Sequence, residues 1–216
     1  MSLYEKVYEI VEDDIVQIFG PSGSGKSSFC LALILDAVKH GKTVYFIDAE
    51  RNIRKKEVTN LPKEIKYVYD PTLDGILNYV KYAPKADLLV LDSLGLPVVS
   101  KYSEVGMNEK GNMLLKCVTL ASYLKVWTWR NSSLAVVTNQ PVSEFGKENV
   151  KPEDLPPFSD KAKFSFKEIW RSEIIETKPD LTVCSIKAWR SRCFGRGREL
   201  FTVRISDEGI KVEVKV

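Results

Sequence analysis

A glycine-rich segment near the start of the chain constrains its fold more than any other feature. Residues Gly20–Ser27 match the pattern G-x-x-x-x-G-K-[ST] in full. The apolar run Ile15–Phe19 precedes the segment and predicts a buried strand, while the spacing of apolar residues in Lys26–Lys39 predicts a helix after it. In this context the glycines let backbone N–H groups converge on phosphate oxygens at the start of the helix. The segment therefore predicts a phosphate-binding loop within an α/β fold.

The predicted nucleotide site combines this loop with the end of a second strand. We expect the Lys26 ammonium to reach the β- and γ-phosphates and the Ser27 hydroxyl to ligate Mg²⁺. The apolar run Leu88–Leu91 predicts a buried strand, and Asp92 follows at the edge where such sheets bind ligands. We expect Asp92 to hold Mg²⁺ through water. The residues predicted to bind the nucleotide are Gly20, Pro21, Ser22, Gly23, Ser24, Gly25, Lys26, Ser27 and Ser28.

Two more predicted strands end in polar side chains. Phe46–Glu50 ends with two carboxylates, and Glu50 is the candidate general base that orients the attacking water. The alternative is that Asp48 or Glu50 only caps the next helix. Val136–Gln140 ends in Thr-Asn-Gln, which we expect to face the γ-phosphate, with Gln140 passing the nucleotide state to the loop after it. The alternative is a polar strand end that faces water.

The order of the predicted elements indicates an α/β fold. Apolar strands alternate with helices up to Gln140, which predicts a mostly parallel sheet with helices on both faces. Residues 141–163 are rich in proline and charge and predict a mobile loop, and 164–216 predict a β-rich end that belongs to the same single domain, 1–216. Residues 1–14 form a segment before the first strand. The predicted helices and later strands are Thr72–Tyr82 and Asn112–Arg130, then Phe166–Thr177, Thr182–Ala188, Glu199–Ile205 and Ile210–Val216.

Composition excludes several classes of protein. No apolar run approaches the ~18 residues of a membrane span, and the acidic start Met1–Asp14 is unlike a secretory signal. The four cysteines form no C-x-x-C pair, and the one histidine, His40, is remote from them, so a zinc site is not expected. These features predict a cytoplasmic protein with reduced thiols and no membrane association.

Four segments, in their order and spacing, resemble the ATPase core of the RecA/RadA recombinase family. They are Gly20–Ser27, Phe46–Glu50, Leu88–Ser93 and Val136–Gln140. The resemblance implies a RecA-like P-loop NTPase core with a C-terminal antiparallel β extension, ATP and Mg²⁺ as ligands, and Glu50, Lys26 and Gln140 as catalytic residues. Because only Met1–Asp14 precede the first strand, the chain looks like an archaeal RadA paralogue, a core-only accessory protein that is a monomer or small oligomer.

The resemblance also implies two loops that face DNA, and neither is basic. The first lies within Pro97–Asn112, which contains two lysines and two glutamates. The second lies within Pro141–Lys163, which contains four lysines and five acidic residues. DNA affinity depends largely on phosphate neutralisation, so we expect modest, salt-sensitive binding of single-stranded DNA. Tyr102, Phe145 and Phe158 either stack on bases or tie these loops to the body.

The positive charge is concentrated near the C-terminus instead. No acidic residue lies between Lys187 and Arg198. We call this stretch the basic segment, and it has three interpretations: it contacts DNA phosphates, it reaches the γ-phosphate of a neighbouring subunit, or it is a solvated turn. Trp189 is expected to pack beneath it. Its candidate contact residues are Lys187, Arg190, Arg192, Arg196 and Arg198.

Two further questions remain open at this point, one about a pair of tryptophans and one about a contact with the adenine. Of Trp127 and Trp129, either one is exposed at a protein interface or both are buried against the sheet. Arg54 or Lys56 is positioned in sequence to lie over an adenine, although the local match to the family is poor.

The function predicted from these observations is a slow ATPase that assists homologous recombination and DNA repair. Its partners would be a RadA-type recombinase or other repair proteins. The alternative is a RecA-fold, ATP-dependent scaffold or regulator of the KaiC-like or motility-accessory type with no DNA role, which the near-neutral loops favour.

Overall fold

A computed structural model of the protein describes residues 1–95, 97, 106–140 and 166–216. The predicted loop 141–163, with Phe145 and Phe158, lies outside the described residues, as does Tyr102 of the first predicted loop. The helices are α1 (Leu3–Val11), α2 (Lys26–Lys39), α3 (Lys55–Val58), α4 (Leu73–Lys81) and α5 (Met107–Asn131). The strands are β1 (Ile15–Phe19), β2 (Val44–Asp48), β3 (Ile65–Tyr69), β4 (Leu88–Asp92), β5 (Leu134–Asn139), β6 (Glu168–Lys178), β7 (Leu181–Arg190), β8 (Glu199–Ser206) and β9 (Gly209–Val214).

The strands form one sheet in the order β3-β2-β4-β5-β1-β6-β7-β8-β9. Pairing is parallel from β3 as far as β6 and antiparallel from β6 to β9. The prediction of a mostly parallel sheet with a C-terminal antiparallel extension is therefore confirmed. The central strands β1, β2, β4 and β5 are buried along their whole length, which is why they are continuous apolar runs rather than alternating patterns.

Helices cover both faces of the sheet. On one face α1 and α2 pack over Val16 and Ile18 of β1, and this layer extends to Trp170 and Phe201 of the antiparallel strands. On the other face α4 and α5 pack over Ile15 and Phe19. Because side chains alternate along a strand, β1 supplies both cores while its end enters the glycine-rich loop.

The sequence predicts no helix or strand for residues 1–14, and the structure contains α1 there. Ser2 caps the helix through a capping box with Glu5. Tyr4, Val7 and Val11 are buried against the body of the protein, a spacing of three and four residues that marks an amphipathic helix. The pattern was present in the sequence, but it spans only a short stretch among acidic residues.

The two tryptophans of α5 differ in environment. Trp127 is 7% exposed and its indole N–H donates to the Pro84 carbonyl at 3.0 Å, whereas Trp129 is 76% exposed. The interpretation with both buried is wrong. The helix itself begins at Met107 and ends at Asn131, so it is longer at both ends than the predicted Asn112–Arg130.

Candidate functional site

The glycine-rich loop connects β1 to α2 and depends on glycine at three positions. Gly23 and Gly25 have φ of 77° and 81°, in the region that favours glycine. A Cβ at Gly20 would lie 2.2 Å from the Ser172 carbonyl oxygen of β6. The loop is held from the same strand, because the Ser172 hydroxyl donates to the Ser24 carbonyl. Strand β6 therefore shapes the loop from the side.

Lys26 lies at the first position of α2, with its ammonium folded into the loop. Its Nζ donates to the carbonyls of Gly20 at 2.9 Å and Pro21 at 2.8 Å. Burial lowers the pKa of Lys26, while the carboxylates of Asp92 and Glu50 oppose that shift. The sequence-predicted cation is thus placed beside the two sequence-predicted acids.

Asp92 ends β4 and is 2% exposed. The Thr138 hydroxyl donates to its Oδ1, and Asn52 Nδ2 donates to its Oδ2 at 3.0 Å. Burial raises the pKa of Asp92, with Glu50 and Asp48 adding to the rise, and hydrogen bonds from Thr138 and Ser27 oppose it. The link to Ser27 joins the two residues predicted to hold a metal.

Glu50 follows β2 on a turn that Asp48 braces. The fully buried Asp48 accepts hydrogen bonds from the backbone N–H of Glu50 at 3.0 Å and of Ile53 at 3.2 Å. The exposed Glu50 carboxylate accepts a hydrogen bond from the Ser93 hydroxyl. Helix α3 begins at Lys55 with Arg54 at its N-cap, so the alternative in which Asp48 or Glu50 caps that helix is wrong.

These residues meet in one cleft of about 260 Å³ at the carboxyl edge of the parallel strands. Gln140 lines this cleft and is half-buried. Its position differs from the alternative in which the polar end of this strand only faces water. The sequence predicts that Thr138 and Asn139 face the γ-phosphate. In the structure both side chains are fully buried, and the Thr138 hydroxyl donates to Asp92. The lining consists of Ser22, Gly23, Gly25, Lys26, Ser27, Ser28, Glu50, Asp92, Gln140 and Ile205.

Sequence reasoning missed three contributors to this site. Asn52 and Ser93 bind its carboxylates, and Ile205 reaches the cleft from β8. Ser93 directly follows Asp92, so its position was a usable signal, whereas Asn52 and Ile205 reach the site only through the folding of a turn and a distant strand. Arg54 and Lys56 are exposed and do not belong to the cleft lining.

The basic segment lies on β7 and the connection to β8, and part of its charge is used internally. Lys187 Nζ pairs with Glu173 at 2.9 Å. Arg192 donates to the Val11 carbonyl at the end of α1, and its guanidinium lies 3.8 Å from the fully buried Glu168. Lys187 and Arg192 therefore pair with acids of β6 that the local sequence does not reveal, and their role as DNA or neighbouring-subunit contacts stays a prediction.

Trp189 packs beneath the basic segment, as predicted. The Arg196 guanidinium lies 3.7 Å from the centre of its ring, and Arg171 lies 5.4 Å away. Trp189 also makes an edge-to-face contact with Phe19, directly before the glycine-rich loop, at a ring separation of 5.3 Å. Arg190, Arg196 and Arg198 are exposed.

Two further features concern the part of the chain that the structure describes: membrane-spanning helices and clusters of metal-binding side chains. Within residues 1–95, 97, 106–140 and 166–216, no helix has the length and apolar character needed to cross a membrane. In the same ranges no group of three His, Cys, Asp or Glu side chains is arranged to hold a metal ion. The four cysteines are all free thiols.

The sequence matches proteins of the RecA family. Residues 7–117 match the family model described as the RecA N-terminal domain. The chain is 34% identical over 152 residues to DNA repair and recombination protein RadB of Methanobrevibacter smithii, an alignment covering 62% of each chain. The chain spans 62–66% of the length of the RadB relatives it matches.

Two solved structures share the fold. The crystal structure of the RadB recombinase superposes with a TM-score of 0.67 at 19% identity, covering 93% of this chain and 91% of that one. The KaiC-like protein PH0186 from Pyrococcus horikoshii OT3 superposes with a TM-score of 0.64 at 17% identity, covering 94% and 90%. At these identities the likeness concerns the fold.

The internal role of Arg192 is testable against a matched arginine. Arg192→Ala removes contacts that join α1 to Glu168, so we expect the free energy of unfolding to fall by ~1–2 kcal/mol, the half-exposed side chain moderating the loss. Arg198→Ala, which removes the same charge from an exposed position, should change it by less than ~0.5 kcal/mol. Urea denaturation followed by circular dichroism measures both. Equal losses would contradict the internal role of Arg192.

Proposed function

The chain belongs to the RecA family, and from this premise we propose that it binds ATP and Mg²⁺, hydrolyses ATP slowly and assists homologous recombination and DNA repair. The observation that carries the proposal is the single cleft into which Lys26, Glu50, Asp92 and Gln140 converge. The names of the RadB relatives support the DNA repair role.

The side chains of the cleft fit a magnesium nucleotide. A hydroxyl from Ser27 and a carboxylate from Asp92 are hard oxygen ligands of the kind Mg²⁺ accepts, and they are already hydrogen-bonded to each other. We assign the metal to these two residues, with Asp92 acting through water. When bound, Mg²⁺ would neutralise charge on the phosphate oxygens.

The remaining residues of the cleft divide the work of hydrolysis. Backbone N–H groups of the glycine-rich loop and the Lys26 ammonium bind phosphate oxygens. Glu50 orients the attacking water and accepts its proton, while the Ser93 hydroxyl holds the carboxylate in place. Gln140 senses the nucleotide from the end of β5 and transmits its state to the chain that follows.

Single-stranded DNA and a recombinase of the RadA type are the proposed partners. Arg190, Arg196 and Arg198 are exposed and add positive charge to the protein surface, and Arg196 stacks on Trp189, which contacts Phe19 directly before the glycine-rich loop. Such a surface suits an anionic phosphate backbone. Because Lys187 and Arg192 are engaged internally, we propose that the DNA affinity is modest.

A scaffold role without DNA is the second candidate. It is favoured by the near-neutral composition of the two predicted DNA loops and by the fold shared with a KaiC-like protein. The sequence relatives favour the recombination role instead.

Two substitutions separate nucleotide binding from turnover. Lys26→Ala removes the phosphate-binding cation, and we expect it to abolish nucleotide binding, whereas Lys39→Ala on the exposed end of the same helix should not. Glu50→Gln keeps the size of the side chain but removes the base, so it should spare binding and lower turnover by at least ~100-fold. Fluorescent-nucleotide binding and phosphate release measure the two effects. Turnover by Glu50→Gln equal to that of the unmodified chain would refute the base assignment.

The partner proposal is tested by DNA binding and by the response of the ATPase. We expect weak binding of labelled single-stranded DNA that decreases as salt rises, and a further decrease for Arg196→Ala and Arg198→Ala relative to the exposed Lys39→Ala. Phosphate release should change when DNA or a RadA-type recombinase is added. No binding at low salt, together with no change in phosphate release, would favour the scaffold.

A further inference from the structure

Asn52 connects two buried carboxylates that no other described side chain joins directly. Its Nδ2 lies 3.2 Å from Asp48 Oδ1 and 3.0 Å from Asp92 Oδ2. An amide nitrogen carries two hydrogens, so it can donate one to each acid. Asn52 therefore forms a bridge, which we call the amide bridge, between β2 and β4.

The two acids need such a bridge because they are direct neighbours in the sheet. Asp48 and Asp92 are register partners at the ends of parallel strands, and they are 0% and 2% exposed. Like charges on paired positions repel, and burial removes the water that would screen them. A neutral donor between them offsets this repulsion and limits the orientations that each carboxylate can adopt.

Each acid is also held from its other side, so the amide bridge completes the set of contacts. Asp92 Oδ1 accepts from Thr138, which leaves Oδ2 to Asn52. Asp48 Oδ2 accepts from the Tyr67 hydroxyl at 2.9 Å and from the Ile53 N–H at 3.2 Å, which leaves Oδ1 to Asn52 and to the Glu50 N–H. One braced turn thus carries both Glu50, which lines the cleft, and Asn52, which donates to Asp92.

We propose that Asn52 is a positioning residue, which sets the orientation of Asp92 toward the metal of the nucleotide site through the amide bridge. This inference rests on the proposed nucleotide function and adds a residue to its metal side. Hydrogen-bond partners behind a metal-binding group commonly change metal affinity by about 10–100-fold when they are removed.

The test measures metal dependence rather than turnover alone. A fluorescent ADP derivative is bound first in EDTA and then with increasing Mg²⁺, and Mn²⁺ binding in the presence of the nucleotide is followed by electron paramagnetic resonance. For Asn52→Ala we expect binding in EDTA within about twofold of the unmodified chain, and a metal half-saturation raised by about 10–100-fold. The exposed Asn60→Ala serves as the control and should leave both values unchanged.

A charge-swapped pair distinguishes positioning of Asp92 from bracing of the turn. Asn52→Asp places an acceptor beside both acids and should weaken metal binding at least as much as Asn52→Ala. Adding Asp48→Asn restores a donor–acceptor pair between positions 48 and 52, but leaves Asp92 without its donor. If the amide bridge acts on Asp92, the double variant stays impaired in metal binding. Recovery in the double variant would overturn the proposal.

The remaining outcomes are also decisive. Circular dichroism establishes which variants fold. If Asn52→Ala does not fold, Asn52→Ser replaces it, because serine keeps a small polar side chain in the turn but is too short to bridge the two acids. An unchanged metal dependence, or equal losses in EDTA and in Mg²⁺, would overturn the role of Asn52 while leaving nucleotide binding intact. If the unmodified chain binds no nucleotide, or binds it independently of metal, the proposed function fails and this inference fails with it.

Discussion

The burial of Asp92 at the end of β4 is the constraint on which the site depends. A carboxylate that is 2% exposed must be hydrogen-bonded, and its donors come from three other parts of the chain: Thr138 of β5, Asn52 after β2 and Ser27 of α2. Satisfying one acid therefore brings three strand ends and the glycine-rich loop together. The same contacts place Lys26 and Glu50 close enough to Asp92 for their charges to influence each other.

The antiparallel extension contributes to the site as well as to the core. Ser172 of β6 contacts the glycine-rich loop at Gly20 and Ser24, and Ile205 of β8 lines the cleft. On the opposite face of the sheet, Phe19 packs against Trp189, which in turn carries Arg196 on its ring. The basic segment is thus in contact with the residue that leads into the glycine-rich loop.

The parts that could be predicted from sequence are those encoded locally. The glycine-rich loop and the apolar strands ending at Asp48, Asp92 and Asn139 each carry their signal within a few residues, and the parallel sheet followed from them. The antiparallel end was implied by the family resemblance. Contacts between distant segments could not be read in this way. The pairing of Arg192 with Glu168, and of Lys187 with Glu173, depends on strand register. Because the basic segment itself contains no acidic residue, its sequence did not show that two of its cations form ion pairs within the protein. Asn52 was missed because its role depends on the turn that Asp48 braces.

The central claim is that one edge of the sheet forms a magnesium-nucleotide site built on Lys26, Ser27, Asp92 and Glu50. A crystal structure of the protein with Mg²⁺ and a non-hydrolysable ATP analogue tests it most directly. We expect the phosphates in the glycine-rich loop beside Lys26, the metal at Ser27 with Asp92 behind a water molecule, and the Glu50 carboxylate facing the γ-phosphate. A nucleotide bound elsewhere, or a metal held without Ser27 and Asp92, would contradict it.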